Sequence, residues 1–399
     1  MVLIFGGFGH DDDDHNLMPV DSTPVNCGEE KENSKMTTPY EKAANYLLTR
    51  TTYRPQVGII CGSGLSNLSS HLTESVTINY SDIPGFPSAT VQGHAGELVF
   101  GKIGDIECVC MRGRFHFYEG NEMARVVLPV RAMRLIGVKL LVVTNAAGGL
   151  NPDFSVGDIM VITDHFGLPC LAGNSPLVGL NDDSLGPRFP STSDAFDRVL
   201  QNSFVVPVAE SLNLLDILRP DGTYSFVSGP AYESKAECRF LRSIGADAVG
   251  TDIFIQYPYP LQVAYLYTRT YTYIQVGMST IPEVLAAKHC GMKILGLSLI
   301  TNKVIASHDD TTVPASHAEV LAAVESSGKK VEVIVRNVIS HPGLVTYLAQ
   351  LPVFTYTPDT KKSKGQATAW TEVDYKLLSF VNLAAVTALA AYVFLQHKK

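Results

Sequence analysis

The sequence predicts an α/β protein: a single large domain in which helices flank a central mixed, mostly parallel sheet. Three observations predict it. Leu140–Val143 is an apolar, β-branched run with no polar break, as in a strand buried on both faces, and Gln56–Cys61 and Lys293–Ile300 read as strands too. Stretches of helical spacing, such as Tyr40–Arg50 and Val126–Ile136, alternate with the strands, and that βαβα order implies a largely parallel sheet. The strands end in small-residue turns, above all Thr144-Asn145-Ala146-Ala147-Gly148-Gly149. Ligands of open α/β sheets bind at the carboxyl ends of strands, where only small residues let backbone N–H groups approach closely.

Taken in order, the chain offers helix Tyr40–Arg50, strand Gln56–Cys61, a hairpin around Gly101–Asp105 and the extended segment Met111–Gly120. Helix Val126–Ile136 feeds the strand beginning at Leu140, and Gly157–Ile162 is a further strand. A Pro-, Gly- and Asn-rich loop spans Pro169–Pro190, before a helix at Asp194–Leu214 and a strand at Thr223–Val227. Ala236–Gly245 reads as helical, Asp247–Gly250 begins a strand, and His317 opens a helix after Thr301-Asn302-Lys303.

Composition narrows the class. The 399 residues are 46% hydrophobic with a formal net charge of −8, which argues against nucleic acid as a partner. Seven scattered cysteines without a C-x-x-C pair read as reduced thiols in a cytoplasmic protein, with no zinc site. Residues 1–35 form an acidic extension, expected to be disordered, that fits neither a signal nor a transit peptide. Its His10–His15 run of four aspartates between two histidines reads as a solvated tail, because no rigid element fixes those side chains around a cation.

Four clusters carry candidate chemistry. Gly62-Ser63-Gly64-Leu65 follows a strand and could cradle a phosphate, although a glycine turn serving only its backbone reads the same way. In extended geometry Arg114, His116 and Tyr118 share one side and Phe115 and Phe117 the other. That polar side suits an anion beside a hydroxylated ring, with a plain outer strand face as the alternative. Tyr232-Glu233 ends a strand, where a carboxylate beside an aromatic can hold the edge of a flat heterocycle or simply start a helix. Thr251–Gln275 is rich in tyrosine and unlike its surroundings, and Val249-Gly250 recurs beyond it as Val276-Gly277.

Together the turns GSGL (62–65), GHAG (93–96), GRFHFYEG (113–120), TNAAGGL (144–150), SGPAYES (228–234), GADAVG (245–250), VGMSTIPEV (276–284) and SLITNKV (298–304) resemble the purine nucleoside phosphorylase family, in its trimeric class specific for 6-oxopurines. The resemblance runs from about Tyr40 to about Val338, apart from the tyrosine-rich stretch. It implies reversible phosphorolysis of inosine, guanosine and their 2′-deoxy forms, a pentosyl transfer in purine salvage by a cytoplasmic homotrimer. Inorganic phosphate is the co-substrate, with no cofactor and no metal.

By the same resemblance, Ser63, His94, Arg114, His116, Ala146 and Ser279 look like the phosphate site. Tyr118, Met278 and His317 look like ribose contacts. Tyr232, Glu233, Thr301, Asn302 and Lys303 look like the purine site, and Asn302, Glu233 and His116 carry the catalytic roles. Glu233 would accept the N1 proton that a 6-oxopurine has and adenine lacks. Related methylthioadenosine phosphorylases, the alternative function, carry aspartate at the position of Asn302 and lack the Tyr232-Glu233 pattern.

The sequence also departs from the family. Leu171 stands where mammalian members have a phenylalanine reaching across a subunit interface, and Tyr232 replaces a common phenylalanine. The tyrosine-rich stretch, within 249–277, has ends compatible with a retained in-frame intron; if translated it would interrupt the strand carrying Ser279 and leave an inactive nucleoside-binding protein as another reading. The expected phosphorylase domain is 36–345. Residues 346–399 read as a linker and an apolar helix whose Leu377–Leu395 run is long enough for weak membrane association.

Overall fold

The computed structural model describes residues 37–62, 65–87, 95–251, 279–304 and 317–358. The acidic extension, most of the tyrosine-rich stretch and the apolar run 377–395 lie outside the described residues. Helix α1 (Pro39–Arg50) starts on a capping box in which Thr38 and Glu41 exchange side-chain and backbone bonds, and its Tyr40, Ala43, Ala44 and Leu47 face the core. Strand β1 (Val57–Ile60) follows, buried throughout. Strands β2 (Thr73–Asn79), β3 (Glu97–Ile103) and β4 (Ile106–Arg112) form an antiparallel meander, and Gly104, at φ +59°, turns the expected hairpin between β3 and β4.

Short helices α2 (Met123–Val126) and α3 (Leu128–Leu135) lead to β5 (Leu140–Gly149), ten residues all buried. Strand β6 (Ile159–Gly167) runs into a single helical turn, α4 (Leu168–Leu171). The helix expected from Asp194 begins later. Asp197 caps it by accepting the N–H groups of Val199 and Leu200, and α5 (Arg198–Leu200) passes through a π turn, Gln201–Val205, into α6 (Val206–Ser211). Pro207 lacks an N–H and its ring crowds the preceding turn, which accounts for the widened segment before it. Strand β7 (Leu218–Phe226) starts five residues ahead of the expected Thr223, tied by Arg219 to Asp158 at 2.8 Å. Then come α7 (Lys235–Ser243), β8 (Ala248–Thr251), α8 (Ile281–His289), β9 (Lys293–Lys303), α9 (His317–Ile339) and α10 (Pro342–Gln350).

The sheet is mixed, and its trunk is β5. Along its first half β5 has β1 and β9 as parallel neighbours, with Val57 opposite Leu140 and Leu140 opposite Lys293. Past Val143 strand β1 departs and β8 takes its place in antiparallel pairing, with Ala146 opposite Thr251 and Gly149 opposite Ala248. Pairings β9–β6, β6–β7 and β7–β8 then close a ring of five strands, which leaves β5, β9, β6, β7 and β8 without a free edge there. Leu141 and Val143 face the core beneath α1, α3 and α8, while Leu140 and Val142 face the core beneath α9, so the unbroken apolar run reflects a strand covered on both sides.

Helix α10 continues through residues 345 and 346, where a linker is expected to begin. Beyond it the chain stays on the body: the Tyr356 hydroxyl donates to Asn45 Oδ1 at 2.9 Å and the Arg134 guanidinium lies over the Phe354 ring at 4.7 Å. The six described cysteines are free thiols, and Cys61 and Cys110 bring their sulfurs to 3.3 Å.

Candidate active site

The site opens where β1 leaves β5. Gly62 donates its N–H to Thr144 Oγ1 at 3.0 Å, and a Cβ there would stand 2.6 Å from the Thr144 carbonyl oxygen, so only glycine lets the two backbones approach. Thr144 and Asn145 are polar residues fully enclosed within β5, which marks the strand end as something other than packing.

Arg114 gathers this region. Its chain leaves β4 through Gly113, at φ +99°, and the side chain is 2% exposed. Nη2 donates to the Thr144 carbonyl at 2.7 Å, and Nη1 donates to the hydroxyls of Ser279 and Thr280, the latter at 3.1 Å. Nε lies 3.7 Å from Glu283 Oε1. One guanidinium therefore bridges the carboxyl end of β5 to the first turn of α8.

That first turn is strained. Thr280 has φ +80° and ψ −57°, and Ile281 donates its N–H to the Ser279 carbonyl at 3.0 Å, closing a γ-turn. A β-branched residue in this region costs about 1 to 3 kcal/mol and persists only where its surroundings fix it. Here the fixing groups are visible: Asn145 Nδ2 donates to Thr280 Oγ1 at 3.0 Å, and Thr280 and Glu283 form a capping box in which the Glu283 carboxylate accepts the Thr280 N–H.

The expected alternation at 114–118 holds for part of its length. Phe115 packs in the core against Tyr80 and Phe86, opposite in sense to Arg114. After His116 the chain leaves extended geometry for a 3₁₀ turn, Phe117–Glu119, yet the His116 and Tyr118 rings still meet, stacked with centroids 4.8 Å apart. Glu119 Oε1 accepts the His116 backbone N–H at 2.9 Å and lies 2.8 Å from Nδ1, an acceptor that keeps a proton on Nδ1 and fixes the ring.

A separate cleft of about 470 Å³ is lined by Leu168, Pro169, Val227, Ser228, Tyr232 and Glu233. Burial pushes the Glu233 carboxyl up to about 7, with the neighbouring charge of Glu237 adding to the effect. At the end of β9, Thr301 Oγ1 lies 3.1 Å from Asn302 Oδ1, so the Asn302 amide nitrogen turns toward Gly148. A Cβ on Gly148 would come within 3.2 Å of that nitrogen and 2.8 Å of Val304, which explains the bare backbone beside it. Ala146 is buried in β5, and Lys303 is exposed at the strand's last position.

The structure thus brings Arg114 onto Ser279, His116 onto Tyr118, Tyr232 and Glu233 into one cleft, and Thr301 and Asn302 against Ala147-Gly148. Ser63, His94 and Met278 lie outside the described residues, as does the side chain of His317, whose backbone starts α9. Thr144, Asn145, Glu119, Thr280 and Glu283 join the site although the sequence reading assigns them no role there, each lying inside a motif quoted for its neighbours. Three of them carry a legible signal, since His116-x-x-Glu119 and Thr280-x-x-Glu283 both have capping-box spacing. Among the described residues no group of three or more His, Cys, Asp or Glu side chains could hold a metal, and no helix is long and apolar enough to cross a membrane.

A sequence model of the phosphorylase superfamily matches residues 56–254 and 259–340. Purine nucleoside phosphorylase of Mus musculus is 46% identical over 296 residues, covering 73% of this chain and 91% of its own. Purine nucleoside phosphorylase 1 of Bacillus subtilis is 42% identical over 285 residues, covering 71% and 92%. The crystal structure of Schistosoma mansoni purine nucleoside phosphorylase in complex with inosine superposes with a TM-score of 0.66 at 37% identity, over 76% of this chain and 96% of that one. The chain belongs to the purine nucleoside phosphorylase family.

Proposed function

We propose that the protein catalyses reversible phosphorolysis of 6-oxopurine nucleosides such as inosine and guanosine, and of their 2′-deoxy forms, giving the free base and (deoxy)ribose 1-phosphate. The observation that carries this reading is the contact of Arg114 with Ser279 at the open end of β5, where a charged fork and a hydroxyl converge beside a bare glycine backbone. Arg114, Ser279, His116 and the Ala146 N–H bind phosphate, together with Ser63 and His94. Such donors suit a phosphate dianion, which becomes the nucleophile at C1′. Tyr118, Met278 and His317 hold the ribose between phosphate and base.

Cleavage of the N-glycosidic bond passes through an oxocarbenium-like sugar, and negative charge builds on the leaving purine. Asn302 donates its amide to N7 and gains as that charge grows. Glu233, as carboxylate, accepts the N1 proton, while Tyr232 covers the ring and Thr301 and Lys303 support the purine edge. Inorganic phosphate is the co-substrate and no organic cofactor or metal takes part.

The catalytic domain is 36–345 together with the rest of α10 and the segment through Tyr356 that packs on it, preceded by the acidic extension 1–35. A cytoplasmic homotrimer suits the free thiols and the exposed apolar side chains of Leu171, at 74%, Val178, Leu180 and Phe189, which a second subunit would cover. Steady-state release of hypoxanthine from inosine by the full chain, with and without phosphate, tests the reaction. Phosphate-dependent release is expected; binding of inosine with no turnover would make the chain an inactive nucleoside-binding protein instead.

A further inference from the structure

We infer that Glu283 is a positioning residue for phosphate, acting through the Ser279–Thr280–Ile281 γ-turn and through Arg114. The inference rests on the reading of Arg114 and Ser279 as phosphate ligands. Glu283 is 2% exposed and sits in the first turn of α8. An ionised carboxylate withdrawn from water persists only where charge and donors meet it. The groups that meet it are the Arg114 guanidinium, at 3.7 Å, and the Thr280 N–H. Each is attached to a phosphate ligand: the guanidinium is one, and the Thr280 amide is the peptide bond of Ser279.

Thr280 supplies the second half of the device. Its φ of +80° is one that a β-branched side chain reaches only under constraint. Glu283 takes its N–H, while its Oγ1 accepts from Arg114 and from Asn145, so the residue is held from both sides. Without the carboxylate the turn can relax to a negative φ, and that rotation carries the Ser279 hydroxyl away from Arg114 Nη1. None of these contacts involves the cleft of Tyr232 and Glu233, so the loss should fall on one substrate and spare the other.

The test compares Glu283→Ala and Glu283→Gln in the full chain, by initial rates with phosphate and inosine varied separately and by calorimetric titration with inorganic phosphate alone. In Glu283→Ala the phosphate KM and Kd should rise by about tenfold or more, with the inosine KM within about threefold of wild type. Glu283→Gln keeps an oxygen that accepts the Thr280 N–H, and should recover most of the loss. If Glu283→Ala does not fold, Glu283→Asp serves: its carboxylate stops one methylene short of the Thr280 N–H, and the same selective rise in phosphate KM is expected. Equal rises in both KM values, a lowered Tm with phosphate affinity unchanged, or no recovery in Glu283→Gln would overturn the inference. A wild-type chain that binds phosphate but does not phosphorolyse inosine would defeat the proposed reaction alone, since the phosphate titrations still decide the role of Glu283. A wild-type chain that binds no phosphate would defeat both.

Discussion

Arg114 and Ser279 stand 165 residues apart in the chain and meet through Nη1 and Oγ, one leaving β4 and the other entering α8. Their meeting makes the arginine a structural tie, and substitution can separate that role from the phosphate binding proposed for it. Arg114→Lys keeps a charge but loses the planar fork that reaches Thr144, Ser279 and Thr280 together. A loss of about a hundredfold in kcat/KM for phosphate is expected, about 2.7 kcal/mol of transition-state stabilisation. Arg114→Ala also leaves the buried Glu283 with the Thr280 N–H but without its cation, which should cost about 3 to 5 kcal/mol of stability, read as a lower urea midpoint.

Glu233 predicts a pH dependence. Its carboxyl is held at about 7 by burial, above the ordinary carboxylate range, so the folded protein keeps its proton longer than the unfolded chain does. Its contribution to stability is complete below the ordinary carboxylate range and is lost as pH rises through about 7. Catalysis runs the other way. Only the carboxylate accepts the N1 proton of inosine, so kcat/KM for inosine should fall as pH drops below about 7. The acid limb should disappear in Glu233→Gln, whose activity is low at every pH; an unchanged acid limb in that variant would assign the titration elsewhere.

Asn302 lies at the end of β9 with its amide nitrogen toward Gly148. Asn302→Asp replaces a donor by an acceptor and should move preference from inosine toward adenosine, whose 6-amino group donates. A shift of about tenfold or more in the ratio of kcat/KM values is expected, because a mismatched buried partner costs about 1 to 3 kcal/mol. An unchanged ratio would remove Asn302 from the base site.

Gly62→Ala tests the close approach of β1 to β5. The added methyl would sit 2.6 Å from the Thr144 carbonyl oxygen, a backbone atom that cannot turn aside. Overpacking of this kind costs about 1 to 3 kcal/mol, so the Tm should fall by several degrees, and phosphate binding should weaken through Thr144 and Arg114.

The strands β1, β5 and β9 are legible in the sequence because both faces are covered, which writes them as apolar runs. The closing of β5, β9, β6, β7 and β8 into a ring is not, since it depends on pairings between distant segments that no local pattern encodes. Arg114, Tyr232 and Glu233 stand out by residue type at strand ends, whereas Ser279 and Asn302 gain meaning only through resemblance to a family. Thr280 illustrates the limit. The capping spacing to Glu283 can be read directly, but a positive φ at a β-branched residue contradicts local preference and is imposed by Arg114 and Asn145 from elsewhere in the chain. The Asp197 cap likewise moved a helix boundary that apolar spacing alone places at Asp194.

The measurement that bears most directly on phosphorolysis at this site is phosphorus NMR of the full chain incubated with inosine and inorganic phosphate. Conversion of inorganic phosphate to ribose 1-phosphate in step with hypoxanthine, and its loss in Arg114→Ala, is the expected result. Hypoxanthine accompanied by free ribose, with inorganic phosphate unchanged, would contradict it.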